Sequence, residues 1–181
     1  DFSFRLSTFV PRAYRRLQDW LSSIVASHPD LIENIIVHGS YGDFSNNNYS
    51  DLDLTVFLKQ MAVENSRARE ELRYLIKFSI MPIIYKVDPL QHHGAFFLWP
   101  SLADFYPQSI LPASVYSRSW VVMPLKLQLN STCHRGPAKL NAFIQKIFAE
   151  QQSILNATNL FYVKRFISHL MMVPCIYYND L

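Results

Sequence analysis

Apolar residues recur along this chain with two different periods. Through 11–27 they return every three or four positions as Tyr14, Leu17, Leu21, Ile24 and Val25, with Arg12, Arg15, Arg16 and Asp19 between them. That pattern predicts an amphipathic helix. Ser7 or Thr8 would cap it, and Pro11 suits a first turn. A run rich in β-branched residues at 34–38 predicts a buried strand, broken by Gly39 and Ser40. A polar loop at 41–50, rich in Asn, Ser and Gly, leads to a second strand at 51–58.

Residues 62–79 carry Ala, Glu and Arg, with Leu72, Leu75 and Ile76 as an apolar stripe, and read as a helix. In the next segment Ile83, Tyr85 and Val87 alternate with Ile84, Lys86 and Asp88, the two-residue period of a strand, closed by Pro89. A further strand is expected at 95–99, after Gly94. Four prolines and few clear periods make 100–124 irregular, with short elements. Beyond it the pattern is helical. Leu140, Phe143, Ile147, Ile154 and Leu155 form one stripe, and Phe161, Val163, Ile167, Leu170 and Met171 another. Pro137 suits a first turn, and Pro174 should end the last helix. The expected fold class is α/β (α+β), with an α/β domain at 1–124 followed by a helical region at 125–181. No internal repeat is visible. The chain starts at Asp1 without a methionine and ends soon after an apolar stretch, so a trimmed or incomplete chain is expected.

Composition adds limits rather than a function. Half of the 181 residues are hydrophobic and 17% are charged, which supplies a core and argues against disorder. A net charge of +3 is too small to announce a nucleic-acid binder. No apolar run approaches the roughly 18 residues of a membrane span, and no signal peptide is recognisable, so a cytoplasmic protein is expected. Cys133 and Cys175 form no paired framework and should stay reduced. Asn48, Asn130 and Asn156 match the N-glycosylation pattern by chance.

The chemistry concentrates between His38 and Asp53. Strand alternation puts Asp51 and Asp53 on one face, about 7 Å apart along the strand. Two carboxylates so placed repel unless a cation lies between them, and hard oxygen donors favour Mg²⁺ or Mn²⁺. At the Gly39 and Ser40 turn, glycine allows close approach to a phosphate and serine adds a hydroxyl and an N–H. Gly42 adds freedom to the same loop.

The order Val37, His38, Gly39, Ser40, ten intervening residues, then Asp51, Leu52, Asp53 resembles the nucleotidyltransferase superfamily typified by DNA polymerase β. The resemblance covers roughly 30–100 and implies a mixed β-sheet core with flanking helices. It implies that Asp51 and Asp53 bind metal ions holding an NTP triphosphate, and that Ser40 and the Gly39 backbone contact its β- and γ-phosphates. In that family a third carboxylate on a later strand completes the metal site. Asp88 fits that place, on the same expected strand face as Lys86, and would help activate an acceptor hydroxyl. In-line attack on the α-phosphate would then release pyrophosphate.

Other residues carry weaker readings. Lys86 either neutralises a phosphate or pairs with a carboxylate. Adjacent histidines on a strand point opposite ways, so His92 and His93 are not expected as joint ligands, although one could line the site. Arg67, Arg69 and Arg73 read as a solvated helix face. Phe96, Phe97 and Trp99 read as core, and His134 and Arg135 as loop residues without a role. A small-molecule or protein acceptor is favoured over RNA or DNA, since no basic stripe is interleaved with exposed aromatics. The rival readings are a catalytically silent nucleotide-binding or protein-interaction module, and pyrophosphoryl transfer or oligonucleotide synthesis on the same scaffold.

Overall fold

Phe2, Phe4 and Leu6 alternate with Ser3 and Arg5 in strand β1 (Phe2–Leu6), a period of two that the sequence shows but the expected elements did not include. Its partner lies more than a hundred residues away, where Leu125, Leu127 and Leu129 alternate with Lys126 and Gln128. Their antiparallel pairing makes a separate two-stranded sheet. A computed structural model describes residues 1–107, 111–131, 137–155 and 159–180. Two units result, Asp1–Tyr106 with Ala113–Asn130, and Pro107–Pro112 with Ser131–Leu181. The partner strand of β1 thus ties 125–129 to the first unit, where a helical region was expected to begin. Cys133, His134, Arg135, Asn156 and the side chain of Cys175 lie outside the described residues.

In the first unit a 3₁₀ turn (Arg12–Tyr14) leads into helix α1 (Arg15–Ser27), which buries Leu17, Leu21, Ile24 and Val25 as its spacing predicts. Ser7 and Thr8 do not cap it. Ser7 Oγ accepts from Phe9 N, and the Thr8 carbonyl accepts from Gln18. Strand β2 (Ile32–His38) follows, then the single turn α2 (Gly39–Gly42) and strand β3 (Asp53–Leu58). Both strands are buried almost throughout, which is why they read as unbroken apolar runs. A bulge at Ile32/Asn34 is satisfied by the Asn34 amide, which bonds both Met123 O and Met123 N.

Helices α3 (Gln60–Glu64) and α4 (Ser66–Leu75) come next, α4 being capped by the Asn65 side chain on Arg67 N and Ala68 N. The helical path then continues through a π turn (Ile76–Ile80) into α5 (Met81–Val87), where a strand was expected. Ala68, Leu72, Ile76, Ile80 and Ile84 form one face with a spacing of four, and of 83–87 only Ile84 is buried. The short alternation at 83–88 is the tail of that longer helical period. Pro82 cannot donate into the helical ladder, and the widened turn just before it accommodates its ring.

Strand β4 (Phe96–Leu98), the turn α6 (Pro100–Ala103), a 3₁₀ segment (Ala113–Arg118), β5 (Trp120–Val121) and β6 (Leu125–Leu129) complete the unit. The main sheet has the order β4-β3-β2-β5, with β3 and β4 parallel and the other pairs antiparallel. This is the mixed sheet with flanking helices that the sequence predicts.

The second unit contains α7 (Pro137–Leu155) and α8 (Leu160–Asp180). Pro174 lies inside α8 rather than ending it, at an exposed position, and Ile176 beyond it is buried, so packing carries the helix past the proline. Ile167, Leu170 and Met171 are exposed. Two helices cover only one face of each other. Glu150 accepts from Arg165 at 2.7 Å and lies 2.5 Å from His169 Nδ1. Among the described residues no helix is long and apolar enough to cross a membrane.

Two predictions follow from this packing. Ile84→Ala should cost about 2–5 kcal/mol in chemical denaturation, while Tyr85→Ala should stay within roughly 0.5 kcal/mol. A strand at 83–88 would reverse that order. In the second unit, burial pushes the Glu150 pKa up, but the bonds and charges of His169 and Arg165 outweigh it and hold it below the ordinary 4.5. A carboxylate with a depressed folded-state pKa contributes stability that is present above its unfolded value and lost as pH falls through the folded one. Helicity followed by circular dichroism should therefore fall more steeply on acidification below 4.5 in the parent chain than in Glu150→Gln.

Candidate functional site

The register of the central strand pair places His38 opposite Asp53, so the end of β2 and the start of β3 lie side by side. Immediately after His38 the backbone enters the left-handed region at Gly39 (φ +63°), and a Cβ there would collide with Asp53 Oδ2. Only glycine combines that conformation with that approach. Ser40 follows in α2, and its carbonyl accepts from Ser45 N at 2.9 Å and Asn46 N at 3.1 Å, folding the polar loop back over the turn. Tyr14, at the end of the 3₁₀ turn that leads into α1, bonds Asn46 and packs on Tyr41 and Phe44, which fastens the loop to the start of the helix. Gly42 is buried, and a Cβ on it would come within 2.8 Å of Arg118 O and 2.9 Å of Val37 O. Its observed part is close packing beneath the turn.

Asp51 lies in the segment leading into β3 rather than within the strand. Facing it is the turn before β4, which carries His92 and His93. His92 Nδ1 is 3.6 Å from Asp51 Oδ1, and His93 Nε2 is 3.2 Å from Asp53 Oδ1. The two rings stand 4.9 Å apart at 81°. Their shared direction differs from the expectation for neighbours on a strand, because they occupy a bend, with left-handed backbone at Gly94 (φ +74°).

Gln91 makes that bend. Its buried amide donates to Leu52 O at 3.1 Å and accepts from His92 N at 2.8 Å and His93 N at 3.2 Å. One side chain thus ties the histidine turn to the residue between Asp51 and Asp53. Nothing in the sequence marks Gln91, since its partners are backbone atoms 39 positions away or next to it.

The electrostatics are unequal across the site. Burial lowers the pKa of His38 to about 4, against the pull of Asp53 and with a further push from His93. His38 is therefore neutral at physiological pH. Its Nε2 meets Thr55 Oγ1 at 3.0 Å, which in turn meets the Tyr116 hydroxyl at 3.1 Å. For His93 burial also disfavours charge. The bond and charge of Asp53, the Gly94 carbonyl and Asp51 outweigh it and raise the pKa above 6.5. Phe96, expected as core, meets both His38 and His93 with its ring tilted, 5.7 Å from the one and 5.4 Å from the other.

Two other expected site residues are placed differently. Lys86 lies on α5, with its ammonium 4.6 Å above the Trp20 ring of α1. Asp88 ends that helix and is buried, and its Oδ1 accepts from Leu90 N at 3.1 Å in the turn that leads to Gln91. Among the described residues, the Asp, Glu, Cys and His ligand atoms that converge within 4.8 Å of one another belong to Asp51, His92 and His93. Away from this site, exposed Tyr74 and Phe78 stack on the α4–π helical path beside Arg73, Lys77 and Glu70. This small mixed-charge patch interleaves aromatics with cations, a pattern not evident from the sequence.

No known protein family matches the chain, and no curated protein matches it.

Gly39→Ala should leave the first unit folded but displace the Asp53 carboxylate. The left-handed backbone alone costs about 1–2 kcal/mol. Thermal denaturation should show a loss of at least that size. A chain as stable as the parent would mean that the turn adopts another conformation.

Proposed function

We propose that this protein is a divalent-metal-dependent nucleotidyltransferase, moving a nucleoside monophosphate from an NTP to a hydroxyl acceptor, a small molecule or a protein, with release of pyrophosphate. The observation that carries the reading is the close seat of Asp53 against the left-handed Gly39 turn, with Asp51 two residues before it. A left-handed glycine turn against one member of the carboxylate pair supports the arrangement that the resemblance implies. Asp51 and Asp53 would hold Mg²⁺ or Mn²⁺, and the Gly39 backbone and Ser40 would face the phosphates. A divalent ion held there would neutralise charge on the triphosphate. In the transfer, an acceptor oxygen bonds the α-phosphorus as the bridging bond to the β-phosphate breaks. Pyrophosphate leaves with that electron pair, and the hydroxyl proton passes to a carboxylate of the site.

One observation favours a second reading, a nucleotide-binding module without turnover. The convergent donor set contains histidines and does not include Asp88, the residue expected to complete a triad of carboxylates.

Equilibrium binding of labelled NTPs with Mg²⁺ or Mn²⁺ tests the common part. Binding should require the metal and disappear in the Asp51→Asn, Asp53→Asn double variant. Absence of metal-dependent binding in the parent chain would remove both readings. Product analysis with candidate acceptors separates them. Pyrophosphate marks nucleotidyl transfer, AMP from ATP marks pyrophosphoryl transfer, and intact nucleotide marks the silent module.

A further inference from the structure

The histidine turn is the part of the site that a carboxylate-only metal centre does not use. His92 has a side chain 3% exposed, and His93 one 26% exposed, and both rings are turned toward the carboxylates at the start of β3. Here the chain fixes both with a buried glutamine amide and a left-handed glycine.

We propose that Asp51, His92 and His93, with Asp53 beside them, form a site for a first-row transition ion of the Mn²⁺, Co²⁺ or Zn²⁺ kind, bound in preference to Mg²⁺ and without nucleotide. The inference builds on the proposed function in taking this as the place where the nucleotide's metal sits. Three observations support it. The first is distance. The ligand atoms of Asp51, His92 and His93 lie within 4.8 Å of one another; two donors bonded to one ion at about 2.1 Å stand at most about 4.2 Å apart, so binding would draw the farthest pair together. An ion with bonds of about 2.1 Å to both atoms would subtend about 100° across the 3.2 Å between His93 and Asp53. Across the 3.6 Å between His92 and Asp51 it would subtend about 120°. Both angles suit tetrahedral or distorted higher coordination.

The second observation is the outer shell. His93 Nδ1 lies 2.9 Å from Gly94 O. A carbonyl can only accept, so Nδ1 carries the hydrogen and Nε2 is the nitrogen turned to Asp53. This is how a metal-binding imidazole is usually oriented by its second nitrogen. Gln91 fixes the backbone of both histidines at once.

The third is donor type. Mg²⁺ demands near-octahedral oxygen coordination and keeps its waters, whereas imidazole nitrogens suit the later first-row ions. Two imidazoles in a set of three or four donors therefore tilt selectivity away from Mg²⁺.

Metal-free protein titrated with Co²⁺, in the absence of nucleotide, provides the test, because the visible spectrum of Co²⁺ reports its coordination directly. We expect one equivalent per chain, not displaced by a large excess of Mg²⁺, and an affinity loss of more than about tenfold in His93→Gln and in His92→Ala. Should circular dichroism show that buried His92→Ala does not fold, His93→Gln decides alone. Unchanged Co²⁺ affinity in His93→Gln, or displacement by Mg²⁺ at comparable concentration, overturns the inference. The nucleotide assay fails separately. Co²⁺ bound through the histidines with no nucleotide binding would sink the proposed function and leave this site standing. Mg²⁺-supported nucleotide binding alongside a Co²⁺ affinity unchanged in His93→Gln would do the reverse.

Discussion

The arrangement at the site depends on the register between β2 and β3. His38 faces Asp53 across that pair, and every later contact inherits the match. Side chains alternate between faces along a strand, so a slip of one residue would send Asp53 to the other face and leave Gly39 with no carboxylate beside it. The register is held by burial rather than by the loop that joins the strands. Ile35, Ile36, Val37, Leu54 and Val56 have no exposed surface, so any shift of the pair must move side chains that the core encloses on both faces. The hydrophobic core thus sets the position of a charged group at its edge.

Parts of this could be read from the chain alone because they are local. The spacing of Leu17, Leu21 and Ile24 marks α1, and Gly39, Ser40, Asp51 and Asp53 mark the turn and the carboxylate pair. The segment at 83–88 misleads because six residues cannot distinguish a strand from the end of a helix. Only the series from Ala68 to Ile84 shows the period of four. Strands β1 and β6 alternate plainly, yet each is short and neither has a neighbour in sequence to pair with. Pro174 is a helix breaker by its chemistry, and burial of Ile176 overrides it.

The histidine pair was hidden for a different reason. Whether two adjacent side chains diverge or converge depends on the backbone between them, and that backbone is set by Gln91 reaching to Leu52. A long-range amide bond of this kind leaves no local pattern. The same holds for Thr55, which connects buried His38 to Tyr116 from the middle of a strand. Asp88, conspicuous as an acid before a proline, shapes the turn that delivers Gln91 and the histidines.

That turn also sets how the chain can change length. The loop between α2 and β3 is tied to the rest of the unit near its two ends, through Tyr14 and Arg118 on one side and Gln91 and His92 on the other, so its tip around Tyr49, an exposed residue, has room for insertion. The stretch from Asp88 to Gly94 has none. It is stretched between a helix end and a parallel strand, and Gln91 must reach Leu52 while His92 and His93 reach the two aspartates. One residue added or removed there would misplace the amide and both imidazoles together. Among divergent copies of this fold, constant length in the segment from Asp88 to Gly94 should be a stricter mark of this site than the presence of either histidine.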